Sequence, residues 1–204
     1  MTSIEMITLE TDDLTTAETF YTEAWDLASL IRLKPTETPS TGFRGYALSL
    51  IAAQPGNVDK LVEAAVEHGA TVLKAPAKSF WGYGAVLQAP DGSIWKLACT
   101  PKKDSAPAEK RHESVTLLIG TTDMNATKKF YTEHGLTVSK SYGRKYTEFA
   151  ADGSPIELAL YPRKAFSKDI GMSTEGTGSH RITITGAAGP ATDPDGFTWD
   201  TPEA

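Results

Sequence analysis

The sequence predicts an α+β protein assembled from repeated βαβββ-type units. Two near-copies of a turn and strand carry the prediction: "APDGSIWK" at 89–96 and "DPDGFTWD" at 193–200. The tetrad "FYTE" also recurs, at Phe20–Glu23 and Phe130–Glu133, at the same point of each half. Around both, strands of period two bracket segments of helical period. A Pro-Asp-Gly turn alone says nothing of function, because Pro fixes φ, Asp bonds back to the backbone and Gly takes a positive φ. Its repetition before similar strands is the informative part, and it implies an internal repeat.

In chain order, "IEMITLETDD" reads as a strand. "TTAETFYTEAWDL" follows as a helix, with Ala17, Phe20, Tyr21, Ala24 and Trp25 on one face and Thr15 with Glu18 as a capping box. The strand "SLIRL" comes next, and "KPTETPSTG" (34–42) is too short to hold the two further strands of a full unit. "GFRGYALSLIA" opens a second unit. Its helix, "NVDKLVEAAVEHGA", has an apolar stripe of Val58, Leu61, Val62, Ala65 and Val66, Asn57 as cap and Gly69 as stop. "TVLK", "GAVLQ" and "SIWKLAC" complete it. The polar segment 100–113 divides the halves. From 114 the plan restarts with "SVTLLIG", a helix capped by Asp123 and ended by Gly135, the strand "TVSKSYG", and a hairpin of "RKYTEFA" and "SPIELALY" around Ala151–Gly153. "SHRITIT" begins a last unit that contracts to "GAAGPAT", too short and flexible for a packed helix. The domain reading is a first half over 1–99 with its first unit shortened, a linker over 100–113, and a second half over 114–204 lacking its last helix.

Composition is that of an ordinary soluble globular chain, with 40% hydrophobic and 23% charged residues. A net charge of −6 argues against a general nucleic-acid binder. No apolar run spans a bilayer and the first residues lack a secretory pattern, so neither a membrane nor export is expected and the chain reads as cytoplasmic. The one cysteine, Cys99, lies in an apolar run and reads as a buried structural thiol.

The order of these elements, strand, helix ending in "FY", hairpin strands and a closing "PDG" turn, resembles the vicinal oxygen chelate superfamily. That group includes glyoxalase I, extradiol dioxygenases and bleomycin-resistance proteins. The resemblance implies a glyoxalase-like fold, in which paired βαβββ units form cupped mixed β-sheets with helices on the convex faces, here partly truncated. It also implies metal-ligand positions early in a unit's first strand and just after the turn in its last. In the first half those fall on Met6, the neighbourhood of Gly45, and Lys96, which suit no divalent metal. In the second they fall on Ser114, Glu157, His180 and Asp200, and the last three are respectable ligands for Zn, Ni, Mn or Fe. Each also has a plain reading: Glu157 facing water, His180 hydrogen-bonded in the core, Asp200 near the chain end.

His68 and His134 precede helix-ending glycines, where a structural role fits. Parity turns Trp95 and Trp199 toward the helices. "KSFWGYGA" and "KSYGRKY" instead place aromatics among glycines, so Trp81 and Tyr83, with Lys96, Arg144 and Arg181, are the candidates to rim a cavity for a flat or anionic ligand. Three readings follow. The first is a small-molecule binder of the drug-sequestering kind, using the concave sheet face and no cofactor. The second is a lyase or dioxygenase with one divalent metal at Glu157, His180 and Asp200. The third is a degenerate scaffold whose uncovered sheet serves a protein partner or a homodimer.

Overall fold

The computed structural model describes residues 4–151, 153–186 and 188–202. The first unit is β1 (Ile4–Thr11), α1 (Leu14–Thr19, continued by a π turn over Phe20–Ala24) and β2 (Ile31–Pro35), followed by the short β3 (Ser40–Gly42). The second is complete: β4 (Tyr46–Ile51), α2 (Pro55–Glu67), β5 (Thr71–Ser79), β6 (Gly82–Gln88) and β7 (Ile94–Cys99). So is the third: β8 (Ser114–Thr121), α3 (Met124–Glu133), β9 (Val138–Ser141), β10 (Thr147–Phe149) and β11 (Ile156–Pro162). Then come α4 (Arg163–Ile170), β12 (Gly176–Gly178) and the remnant unit of β13 (Ile182–Gly186), β14 (Ala191–Thr192) and β15 (Thr198–Asp200). Within the hairpin of β10 and β11, Asp152 lies outside the described residues.

Local chemistry sets the helix ends. Asp123 caps α3, its carboxylate accepting from the amides of Asn125 and Ala126. α1 is capped by Asp13, which accepts from the Thr16 amide at 3.0 Å, two residues before the capping box expected at Thr15. α2 starts at Pro55, whose missing N–H costs nothing in a first turn. Asn57 is therefore inside the helix, and it is Asp104, from the 100–113 segment, that accepts from the Gly56 amide at 2.7 Å. That segment is docked rather than free. The buried Gln54 amide donates to the carbonyls of Ala106 and Pro107 and accepts from the amides of Ser105 and Ala106, while Asn57 accepts from the Glu109 amide.

Among the described residues, thirteen strands form one mixed sheet, and the units pair crosswise. β4 runs antiparallel to β8, joining units two and three in a central cup. β1 runs antiparallel to β13, joining the first unit to the last. The cups meet where Ile4 of β1 pairs with Ile156 of β11. Side chains alternate strictly across the sheet. Tyr46, Leu48 and Leu50 of β4 enter the main core under the helices, as do Trp95, Leu97 and Cys99 of β7. Their neighbours face the concave side.

There the structure holds something the sequence reading did not foresee. α4 folds back into the central cup, its Phe166 and Ile170 fully buried against Phe43, Ala47, Val86, Leu118 and Ala159. Where the last unit lacks a helix, the apolar side chains of its strands are nonetheless covered among the described residues. Ile184 and Trp199 are 0% and 1% exposed, and the Tyr131 ring of α3 packs on Trp199.

One buried device holds a helix onto a final strand in each half. The Tyr21 hydroxyl donates to Asp91 at 2.9 Å, and the Trp95 indole N–H lies 3.3 Å from that hydroxyl and 3.0 Å from Ser93. In the second half the Tyr131 hydroxyl donates to Asp193 at 2.7 Å and accepts from Trp199 at 3.3 Å. Deleting either hydroxyl takes one donor from a buried carboxyl, so Tyr21→Phe and Tyr131→Phe should each cost about 1–3 kcal/mol in urea unfolding.

Burial also raises the Asp91 and Asp193 carboxyls above the ordinary value of 3.8. A carboxyl that holds its proton more tightly when folded stabilises fully below its unfolded pKa, and that contribution is lost as pH rises through the folded value. The melting midpoint of the wild type should therefore gain on that of Asp91→Asn as pH falls from neutrality toward 3.8, and a flat difference would contradict this.

Candidate binding site in the central cup

Four side chains stand in one row across the middle of the central cup: Lys96 on β7, Ser49 on β4, Thr116 on β8 and Glu157 on β11. Each is the register partner of the next. Parity puts them there. Lys96 follows the inward Trp95, and Glu157 sits between the core residues Ile156 and Leu158. The Thr116 hydroxyl donates to Glu157 at 3.0 Å and orients that carboxylate. Lys96 is paired with Asp169 of α4, and Lys74 of β5 donates to the Asp169 carbonyl, so the far end of α4 is tied to both strands.

Two cavities meet at this row and share Lys96 and Ala98. One, of about 360 Å³, lies between the β5–β6 hairpin and α4, with Lys74, Lys78, Lys96 and Trp81 around an apolar floor. The other, of about 340 Å³, lies over β4, β8 and β11, with Ser49, Thr116, Tyr146, Glu148 and Glu157 in its wall. The Tyr146 hydroxyl donates to Glu148 at 2.7 Å, and its ring packs edge-on to Tyr161 at 5.0 Å. Burial raises both phenols, Tyr161 to about 12, so each remains protonated at neutral pH.

Of the residues expected to rim a cavity, Trp81, Tyr83 and Lys96 line the first one. The Tyr83 hydroxyl points elsewhere, however, donating to Asp59 of α2 at 2.7 Å. Arg144 is exposed on the β9–β10 turn and lines neither cavity. Arg181 belongs to the other cup. It is 6% exposed at φ 54°, paired with Asp12 at 3.0 Å and donating to the Thr38 carbonyl.

The expected metal set does not come together, because crosswise pairing divides it. Glu157 is in the central cup, while Asp200 lies on β15, three strands away and so roughly 14 Å distant. His180 precedes β13. Its ring stacks on Phe197 at 4.2 Å, with one nitrogen on the Arg44 carbonyl and the other 3.1 Å from that of Asp195. Among the described residues no three His, Cys, Asp or Glu side chains are grouped to hold a metal. Ser49 and Thr116, which line the polar cavity, are the two site residues that the sequence did not single out. Their signal is a small polar residue at an outward position of an apolar strand, as in "YALSLI" and "SVTLLIG". His68 and His134 cap helix carbonyls, bonding those of Ala64 and Phe130, and Cys99 is buried and free.

No family model and no curated protein matches the chain. Solved structures do. Glyoxalase I from Zea mays superposes with a TM-score of 0.62 at 15% identity, over 98% of this chain and 92% of that one. A putative dioxygenase from Bacillus subtilis subsp. subtilis str. 168 does so with 0.56 at 12%, over 95% and 71%. The chain has the vicinal oxygen chelate fold. Across the middle of its central cup the register-paired positions offer an ammonium, two hydroxyls and one carboxylate.

Since both His180 nitrogens already face carbonyl oxygens, His180→Ala should cost stability, about 1–3 kcal/mol, equally in chelator and in Zn. A metal-raised melting midpoint that the substitution abolishes would reverse this assignment.

Proposed function

We propose that the chain binds a small organic molecule in the trough formed by the two adjoining cavities, with no metal held by the protein. The observation that carries this is the junction at Lys96, where a basic, aromatic-edged compartment opens onto a polar one across the concave face. Lys74, Lys78 and Lys96 supply positive charge, Ala77, Gly84 and Val86 an apolar floor, and Trp81 a ring at the edge. Such a compartment favours a flat anion. The lyase or dioxygenase alternative has no donor cluster to support it among the described residues. No helix among them is long and apolar enough to cross a membrane.

One observation favours a second reading, a scaffold for a protein partner. β5 closes the sheet, and Val72, Leu73 and Phe80 on it and its hairpin are exposed, Phe80 at 82%. Pro76, two lysines and two register breaks on the same strand are features that deter edge pairing, so the binder reading ranks first.

Trp81 is 83% exposed whereas Trp25, Trp95 and Trp199 are at most 2% exposed, so it can report on the trough. Titration with 2-naphthoate should change tryptophan emission saturably, and Trp81→Phe should remove the change. Lys96→Met should weaken binding about tenfold, roughly 1.4 kcal/mol. Absence of any saturable change, with no shift in melting midpoint, would overturn the proposal.

A further inference from the structure

The second compartment narrows the class of ligand, an inference that rests on the binding role just proposed. The Ser49 hydroxyl lines this cavity in a residue 4% exposed, yet it has no hydrogen-bond partner among the described residues. A hydroxyl with no protein partner that opens onto the cavity from an otherwise buried residue is suited to a polar group that enters it. Beside it Glu157 carries negative charge, held in place by Thr116, and Glu148 lies beyond with the Tyr146 and Tyr161 rings. Carboxylates beside aromatic faces match a cation, through charge-assisted hydrogen bonds and cation–π attraction. The other compartment presents lysines. The row Lys96–Ser49–Thr116–Glu157 thus runs from positive to negative across three strand spacings, about 14 Å.

We infer that the ligand is bipolar: an aromatic acid that also carries an amine, with its carboxylate at Lys96 and the basic compartment, and its ammonium at Glu157 beside Ser49. The two ends lie in different cavities, so the groups must sit at opposite ends of the molecule. Ordinary α-amino acids, with adjacent charges, fit this poorly.

Calorimetry with three matched probes tests it: 4-(2-aminoethyl)benzoate, 4-ethylbenzoate and phenethylamine. The bipolar probe should bind at least about tenfold more tightly than 4-ethylbenzoate. Glu157→Gln, which keeps an acceptor for Thr116 and nearly the same shape, should abolish that advantage, while 4-ethylbenzoate should bind it at least as tightly as it binds the wild type. Lys96→Met should weaken both acids. Equal affinity for the bipolar probe and 4-ethylbenzoate, or an advantage that survives Glu157→Gln, would overturn the inference while leaving the binding role intact. Failure of all three probes to bind would overturn both, and melting midpoints of the variants would separate either result from misfolding.

Discussion

The bond from a helix tyrosine to a buried carboxylate, closed by an indole N–H, is the constraint on which the rest of this structure depends. It fixes the tryptophan of each closing strand on the helix side of the sheet, and strand pleating then leaves no choice for the next residue. With Trp95 inward, Lys96 must face the cup, and a slip of one position would exchange the two. The halves build the same triangle differently. In the first, the carboxylate is Asp91 of the Pro-Asp-Gly turn itself. In the second it is Asp193, two residues earlier relative to the repeat, and the turn's own Asp195 is released to hold the start of α3 through the Thr122 amide and the Thr127 hydroxyl. The repeat conserves an arrangement of groups rather than a position for each.

The central cup is a compromise between packing and space. Left open, its concave face would expose the apolar residues Ala47, Val86, Leu118 and Ala159; α4 covers them with Phe166 and Ile170. Eight residues are too few to fill the whole cup, so the polar row remains lined by water-accessible volume. The ion pair of Lys96 with Asp169 ties the filling helix to the row that stays open. A ligand anion would meet this lysine already partnered, and its gain is the difference between two charge-assisted contacts.

The local part of this fold was legible in the sequence. Period two and period 3.6 are written in the order of side chains, and so are the outward settings of Lys96 and Glu157, which follow from their apolar neighbours. The cap of α1 falls at Asp13 rather than Thr15 because both are good cap residues two positions apart, and the Thr15–Glu18 spacing imitates a capping box. The pairing of units was not legible, since β4 with β8 and β1 with β13 are contacts between distant segments whose apolar faces are nearly interchangeable. The alternative metal set, drawn from two adjacent units, is for that reason divided between two cups. α4 was overlooked although "RKAFSKDI" has its apolar residues at helical spacing; a single turn-and-a-half stripe beside a strand carries little signal. The role of His180 turned on backbone carbonyls of Arg44 and Asp195, which no residue pattern announces.

The crosswise order also governs when this chain can fold. β1 has its long antiparallel neighbour in β13, beginning at Ile182. That pairing closes a far longer loop than the one between β4 and β8, which can therefore meet sooner, while the parallel ladder of β1 with β2 is local. The middle of the chain is thus the natural nucleus, and the first and last segments are added to it as a late clasp. Neither half, cut at its obvious boundary, would carry a complete cup of its own.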